Sequence, residues 1–385
     1  MEYFLTDQQK MIRSLARKIA EERILPVRAE LDEREEFSWD LMKDIADSDM
    51  FRIFIPQEYE GLGGDCLDLC LAIEELSRVC SSVAISYAAS ALGSFALLEY
   101  GTGEQKRKYL PHIASGKKLA AFALTESTAG SDASAIRMTA EKVPGGYTMN
   151  GTKQFITNGG EAELYTIIAL TQKERGARGA SAFLVEKGAD GFSFGKKERK
   201  MGIRASSTRE LIFKDCFVPE ENRIGKEGMG FIMTMKTLDR SRPGIAAQAV
   251  GLAQGALEAA VDYAQIRIQF GQPIISLPVV QNMLAEMAVQ VEAARALTYA
   301  VARTRDSGTR DITEESAMAK IFASDVAMKV TTEAVQILGG AGYMRDYPVE
   351  KMMRDAKITQ IYEGTNEILR NTIAIELRKR KGKRE

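Results

Sequence analysis

The sequence has one histidine, four cysteines and one tryptophan among its 385 residues. The lone His112 stands in a turn-like segment beside a proline; it excludes a multi-histidine metal site and weakens any serine–histidine–aspartate triad. Cys66, Cys70, Cys80 and Cys216 form no Cys-x-x-Cys pair. This spacing disfavours a metal centre or a disulfide framework and fits a reducing cytoplasm. The acid–base groups that remain are carboxylates, lysines and tyrosines.

Neither positive nor negative charge is in excess, because 52 Lys and Arg residues nearly balance 53 Asp and Glu residues. Proteins that bind nucleic acid by neutralising phosphates need a basic surplus, so that class is disfavoured. The basic run 378–384 is interpreted as a solvated tail. The apolar stretch 84–98 is short for a membrane span and is interrupted by three serines, so we expect a buried helix. Residues 1–22 are too charged for a signal peptide, and a cytoplasmic protein is expected.

Three regions differ in their pattern of apolar residues. Up to about residue 116 apolar residues recur at helical spacing, and from about 225 onward long amphipathic segments cover 245–268, 279–304 and 314–338. Between them, short alternating runs with Asn150-Gly151 and Asn158-Gly159 turn signals predict strands. We therefore predict a mainly helical α+β protein. It comprises an N-terminal helical domain (1–120), a middle antiparallel β-barrel domain (121–224) and a C-terminal four-helix bundle (225–385).

Glycine-rich segments at 61–64, 225–230 and 339–343 invite a nucleotide-binding interpretation. Each lacks the glycine spacing and the strand–turn–helix context on which phosphate-binding loops depend. We interpret them as turns and helix ends, which disfavours a Rossmann dehydrogenase.

Five separated motifs resemble those of acyl-CoA dehydrogenases, and their order and surroundings match that family over nearly the whole chain. The resemblance implies FAD held between the sheet and the C-terminal helices, an acyl-CoA substrate, a homotetramer and electron-transfer flavoprotein as electron acceptor. No metal is implied. The motifs are Leu124-Thr-Glu-Ser-Thr-Ala-Gly-Ser-Asp132, Met201-Gly-Ile-Arg-Ala-Ser-Ser-Thr208, Arg267-Ile-Gln-Phe-Gly271, Gln336-Ile-Leu-Gly-Gly-Ala-Gly-Tyr343 and Ile361-Tyr-Glu-Gly-Thr-Asn-Glu-Ile368.

The resemblance also assigns residues to FAD. A planar guanidinium at Arg267 suits bidentate binding of a pyrophosphate from a neighbouring subunit, although a helix-end salt bridge would explain it locally. Ordinary strand alternation would likewise explain Phe155 and Thr157. The residues matched to the flavin ring are Phe122, Leu124, Thr125, Gly130, Ser131, Phe155 and Thr157; those matched to the rest of FAD are Arg267, Phe270, Gln336, Gly340, Thr365 and Glu367.

Glu363 matches the family's catalytic base, which removes the proton α to the thioester before hydride passes from the β-carbon to flavin N5. A carboxylate in an apolar pocket has a raised pKa and is a stronger base. Local sequence alone favours the other interpretation, a carboxylate stabilised by a helix N-terminus. Some family members carry the base on an earlier helix, where this chain has Ser241. The implied substrate contacts are Ser131, Asp239, Arg242, Tyr362 and Gly364.

The segment 81–101 matches the helix that lines the acyl pocket, and it contains neither Arg nor Lys. An unpaired buried carboxylate is costly, so a dicarboxylic substrate is disfavoured. Small residues at 88, 89, 91 and 93 favour a short, branched or cyclic apolar acyl group. An oxidase of the same fold, an enoyl-CoA reductase working in the reverse direction and a flavin-free structural homologue remain alternatives.

Overall fold

The computed structural model describes residues 3–309 and 311–381. In chain order, the strands of a mixed sheet lie between two groups of helices. The expected helix-rich α+β organisation is confirmed. The helices are α1 (Asp7–Ile19), α2 (Arg28–Arg34), α3 (Trp39–Asp47), α4 (Cys66–Val79), α5 (Ser81–Tyr100), α6 (Gly103–Ala114), α7 (Gly230–Ile266), α8 (Pro278–Asp306), α9 (Thr313–Leu338), α10 (Val349–Thr359) and α11 (Asn366–Lys381).

The apolar helix α5 packs against α4, against α7 and against the sheet. Thr6 caps α1, since its side chain accepts from the Gln9 backbone N–H and the Gln9 side chain completes a capping box. By length and composition α5 could cross a membrane, but 89% of its most apolar window is buried inside the protein. It is therefore a core helix, as the serine-interrupted pattern predicts.

The middle region is one eight-stranded sheet, and it is mixed rather than purely antiparallel, because β1 pairs in parallel with β4. The recorded pairings of the described residues form an open path from β6 to β8, so the closed barrel stays a prediction. The strands are β1 (Ala120–Ala123), β2 (Thr139–Val143), β3 (Gly146–Thr157), β4 (Leu164–Leu170), β5 (Ala180–Glu186), β6 (Phe192–Lys197), β7 (Thr208–Pro219) and β8 (Arg223–Ile224); a separate hairpin pairs β9 (Ile268–Gln269) with β10 (Gln272–Pro273).

Two local predictions are wrong. Asn150-Gly151 does not turn the chain; it lies within β3, where the register with β7 shifts between Met149 and Gly151. Such a bulge accommodates the positive φ of glycine without ending the strand. His112 lies in the last helical turn of α6 rather than in a loop. The helix continues through Pro111 because the fixed φ of proline is compatible with a helix. The basic run 378–384 begins within α11, and its last residues lie outside those described.

The helices α7, α8 and α9 pack against one another, and α10 and α11 pack on α9. Two glycines on α7 set how closely it approaches α4. A Cβ on Gly251 would lie 2.1 Å from the Glu74 carbonyl oxygen, and one on Gly255 would lie 2.0 Å from that of Arg78. The two backbones are therefore in direct contact, which fixes α7 relative to the N-terminal helices.

Replacing Gly251 with alanine should lower the free energy of unfolding by about 1–3 kcal/mol, because the added methyl overlaps a backbone atom that cannot move aside. Gly244→Ala is the matched control on the same helix, since its Cβ would meet only the flexible tip of Ile73 at 3.1 Å. Chemical unfolding of both variants measures the difference. Equal stabilities would show that the close contact of α7 and α4 is not a constraint.

Candidate active site

A cleft of about 630 Å³ lies where the sheet, the helices α4, α5 and α7 and the loop before α11 meet. Most of the residues predicted to contact the flavin ring or the substrate line this one cleft. Its polar and apolar walls come from different elements of the fold. Predicted residues on its wall are Phe122, Leu124, Thr125, Gly130, Ser131, Phe155, Thr157, Arg242, Tyr362, Glu363 and Gly364.

Glu363 sits on the loop between α10 and α11 in a left-handed conformation, with φ of 52°, and Gly364 follows with φ of 97°. A non-glycine residue in this region is strained unless its surroundings hold it. Two consecutive α7 residues do so: Ser241 Oγ donates to Glu363 Oε2 at 2.5 Å, and Arg242 Nε donates to the Glu363 carbonyl oxygen at 3.1 Å. The side chain and the backbone of Glu363 are therefore fixed from the same helix.

Burial raises the pKa of the Glu363 carboxyl from 4.5 to about 6. The hydrogen bond from Ser241 and the charges of Arg242 and Lys320 act in the opposite direction but do not cancel it. A carboxyl with this pKa is ionised at neutral pH and is a stronger base than an exposed glutamate. The arrangement suits removal of a weakly acidic proton.

Arg242 is itself held from behind by Asp239, whose Oδ1 lies 2.8 Å from Arg242 Nη1. The other Asp239 oxygen accepts from Thr313 Oγ1 at 2.5 Å. Asp239 is buried and is not among the residues that line the cleft. Its predicted contact with the substrate therefore stays a prediction, whereas its contact with Arg242 is direct.

The apolar wall opposite the polar groups comes mainly from α5, through Ile85, Ala88, Ala89, Ala91 and Leu92. The expectation that small residues leave space on this helix holds for the three alanines. It fails for the fourth small position, glycine 93, where an added Cβ would lie 2.6 Å from the backbone nitrogen of residue 121. That glycine is small because β1 crosses the helix there, not because a ligand does.

Tyr362 lines the cleft next to Glu363. Its hydroxyl donates to Gln248 Oε1 on α7, and Gln248 Nε2 donates in turn to Ser81 Oγ at 2.7 Å. Burial raises the pKa of Tyr362 well above its usual value, so this side chain stays neutral. It acts as a fixed wall with its polar end already paired.

The sheet contributes the remaining wall. At Phe155 the pairing of β3 with β7 is interrupted, the residue has φ of 59°, and 58% of its surface is exposed. The irregularity turns an aromatic ring into the cleft instead of into the sheet core. Thr125, Ser131 and Thr157 add hydroxyls to the same wall, and a Cβ on Gly130 would have no neighbour within 4 Å.

Six predicted cofactor residues do not line the cleft. Arg267 ends α7, and Phe270 lies at the tip of the β9–β10 hairpin with 88% of its surface exposed. Gln336, Gly340 and the helix α11 residue at 367 are exposed as well, and Thr365 is half-buried. Their predicted roles, which include contacts to a neighbouring subunit, stay predictions.

Three domain models of one family match the chain in sequence order. The N-terminal domain of acyl-CoA dehydrogenases matches residues 6–117, the middle domain matches 121–216 and the C-terminal domain matches 228–377. The chain belongs to the acyl-CoA dehydrogenase family. It is an oxidoreductase of the class that acts on CH–CH donors, and like its family it depends on FAD.

This chain is similar to several individual proteins over nearly its full length. An acryloyl-CoA reductase (NADH) of Anaerotignum propionicum is 47% identical over 99% of this chain and 97% of that protein. The butyryl-CoA dehydrogenase structure from Megasphaera elsdenii superposes with a TM-score of 0.96 at 44% identity, covering 98% and 100% of the two chains. A further solved structure comes from work on the electron transferring flavoprotein of Acidaminococcus fermentans and on flavin-based electron bifurcation. It superposes with a TM-score of 0.96 at 48% identity, covering 98% of this chain and 99% of that one.

The sheet side of the cleft fits the flavin that the family requires. A flat aromatic ring needs an apolar surface to lie on and donors along its polar edge. The exposed Phe155 ring with Phe122 and Leu124 can supply the surface, and the hydroxyls of Thr125 and Thr157 can supply donors. The open space beside Gly130 leaves the backbone accessible to the same ligand.

Two buried lysines near the cleft are absent from the residues predicted from sequence. Lys153 of β3 is fully buried, and its Nζ lies 2.8 Å from both the Leu124 carbonyl oxygen and Glu126 Oε1. Lys320 of α9 is fully buried and donates at 2.8 Å to the Gly364 carbonyl oxygen. Helical spacing could have indicated Lys320, because it lies on the same helix face as the apolar residues at positions 323, 327, 330 and 334, which are buried.

Lys153→Met should destabilise the protein by about 3–5 kcal/mol, because it leaves the buried Glu126 carboxylate without its cation. The variant should also bind less flavin per chain, since Lys153 fixes the chain at Leu124 on the cleft wall. Lys142→Met on the adjacent strand is the control, because its ion pair with Glu220 is exposed and should be worth at most about 1 kcal/mol. Unfolding curves and flavin absorbance per chain test this; equal values for both variants would refute it.

Proposed function

We propose that this chain desaturates a short, apolar acyl-CoA thioester between C2 and C3, with Glu363 as the base. The observation that carries the proposal is the state of Glu363 on the wall of the cleft. Its backbone is strained, and burial raises the pKa of its carboxyl to about 6. Perturbed carboxylates in clefts are concentrated at functional sites. The family relationship supports the thioester as the substrate class.

Proton removal from C2 is the step for which the chain supplies its own groups. Glu363 receives the proton, and Arg242, with its guanidinium paired to Asp239, holds the loop that carries the base. The family resemblance supports the backbone N–H of Glu363 as a donor to the developing enolate oxygen. FAD, when bound, supplies the acceptor for the hydride that leaves C3. The apolar walls exclude water, which keeps the base strong.

The acyl group should be apolar. The α5 wall carries no charge, although Arg240 and Arg305 reach the cleft from α7 and α8. Both guanidiniums donate at 2.7 Å to Glu99, so their charge is already partly compensated. A distal carboxylate would have to compete with that pairing. The likeness to a butyryl-CoA dehydrogenase further supports a short chain.

We infer an electron-transfer flavoprotein as the electron acceptor, a homotetramer as the assembly and the cytoplasm as the location. The electron-transfer flavoprotein is supported by the description of the structural relative from Acidaminococcus fermentans. Exposed apolar residues around the β9–β10 hairpin support burial of this region in a subunit interface, where Arg267 and Gln336 would meet the FAD of another subunit. We also keep a closed middle barrel and the units 1–120, 121–224 and 225–385; the order of the three family matches supports the units.

The proposal is tested by anaerobic titration of the flavin-loaded enzyme with butyryl-, isobutyryl-, cyclohexanecarboxyl- and glutaryl-CoA. Apolar thioesters should bleach the oxidised flavin band, and Glu363→Gln should bind them while the bleaching rate falls by about 10²–10⁴-fold. Glu376→Gln, which removes a half-buried carboxylate paired with Lys379 on α11, serves as the control. Rapid bleaching by the Glu363 variant would remove the base from the mechanism, and a preference for glutaryl-CoA would overturn the apolar substrate.

A second candidate function is the reverse reaction, reduction of an enoyl-CoA such as acrylyl-CoA. It is favoured by the 47% identity to a protein described as an acryloyl-CoA reductase (NADH). Glu363 would then return the proton to C2. Adding NADH and an electron-transfer flavoprotein to the enzyme with acrylyl-CoA distinguishes the two: net consumption of NADH favours reduction, whereas net formation of enoyl-CoA from the saturated thioester favours oxidation.

A further inference from the structure

Two buried cations bind consecutive carbonyl oxygens of the loop that carries the base. Arg242 of α7 donates to the carbonyl of Glu363, and Lys320 of α9 donates to the carbonyl of Gly364. Both loop residues have positive φ, so both peptide groups are turned from the orientation that a continuing helix would give them. The two contacts come from different helices and fix adjacent peptides.

Lys320 has a second contact that ties the loop to the start of α11. Its Nζ also donates at 3.0 Å to Oδ1 of Asn366, whose amide Nδ2 donates to Ser324 Oγ at 2.9 Å and to Asp325 Oδ1 at 2.8 Å. Lys320 has no exposed surface and does not line the cleft. Burying an ammonium group is costly unless it is paired and hydrogen-bonded, so its position needs a reason beyond packing.

We propose that Lys320 is a positioning residue for the catalytic base: it fixes the peptide group that follows Gly364, next to the one that Arg242 holds, and its charge favours the ionised carboxylate. This inference rests on the proposed role of Glu363. Lys320 acts from behind the loop, on the side away from the ligand. Together with Arg242 it sets the direction from which the carboxylate enters the cleft, and misplacement of a base by about 1 Å can lower a rate 100-fold.

The charges around Lys320 give the proposal a direction in pH. Glu363, Glu367 and Asp325 favour its ammonium form and Arg242 opposes it, but burial is the largest effect and lowers the pKa of Lys320 to about 7. Near pH 6, where Glu363 ionises, Lys320 is therefore mostly protonated and holds the pKa of Glu363 down. Removing the charge should raise the pKa of Glu363 and move the acid limb of the pH–rate profile upward.

Two variants separate the hydrogen bond from the charge. Lys320→Met removes both, so kcat should fall by up to about 100-fold with KM nearly unchanged, and the acid limb should rise by about one pH unit. Lys320→Gln keeps an N–H that can donate to the Gly364 carbonyl, so most of the loss in kcat should be restored while the acid limb stays raised. The control is Lys329→Met, on the same helix as Lys320, which breaks an exposed pair with Glu286 of α8.

A direct readout of the base uses 3,3-dimethylbutyryl-CoA, which has exchangeable protons at C2 and no hydrogen at C3. Deuterium uptake at C2 in D₂O reports proton removal without any flavin reduction. Exchange should slow in Lys320→Met by the same factor as kcat. Thermal unfolding and flavin absorbance establish that each variant is folded and loaded.

A folded, flavin-loaded Lys320→Met enzyme with wild-type exchange and an unmoved acid limb would overturn the inference. If that variant does not fold, Lys320→Gln decides, because an unmoved acid limb there also overturns it. Glu363→Gln separates this outcome from failure of the proposed function. Wild-type exchange in Glu363→Gln would refute the base itself, whereas loss of exchange there with unaffected Lys320 variants would refute only the role of Lys320.

Discussion

The left-handed conformation of Glu363 is the constraint on which the site depends. Such a residue costs about 1–3 kcal/mol and persists only where its surroundings determine it. Ser241 and Arg242 supply that determination from consecutive positions on α7. The place of α7 is set in turn by the backbone contacts of Gly251 and Gly255 with α4. The geometry of Glu363 is therefore a consequence of how closely two helices pack, about two and a half to four turns further along α7.

The strength of the base depends on a balance between burial and hydrogen bonding. Burial alone would favour a neutral carboxylic acid, which could not accept a proton. Each donor or cation near Glu363 makes the ionised form more favourable and the base weaker. The site combines one short hydrogen bond from Ser241 with two cations that contact mainly the backbone of the loop. That arrangement fixes the chain firmly while leaving the pKa of the carboxyl at about 6.

Sequence reasoning predicts the parts of this protein that depend on local pattern. The long helices, the β region between them and the motif around Glu363 all follow from periodicity or from the family resemblance. It misses what depends on contacts between distant segments. Asn150-Gly151 has the composition of a turn, yet pairing with β7 keeps it in a strand. The pairing of Lys153 with the Leu124 carbonyl joins residues that no periodicity links.

The same contact logic explains why position 93 is misjudged. A small residue on a pocket helix looks like space for a ligand, but a small residue is also what a crossing strand requires. Only the position of β1 distinguishes the two, and that position is set by parallel pairing with β4. Lys320, by contrast, is visible in principle, since a charge on a buried helical stripe demands a partner.

The direction of the reaction is a separate matter from the geometry of the base. By microscopic reversibility, a carboxylate that removes the proton from C2 also returns it along the same path. In the proposed mechanism Glu363, Ser241 and Arg242 would therefore serve desaturation and reduction equally. What selects between them is the free energy at which electrons reach or leave the flavin. That quantity depends on the electron-carrying partner and on the groups around the flavin, so the geometry around Glu363 does not by itself set the direction.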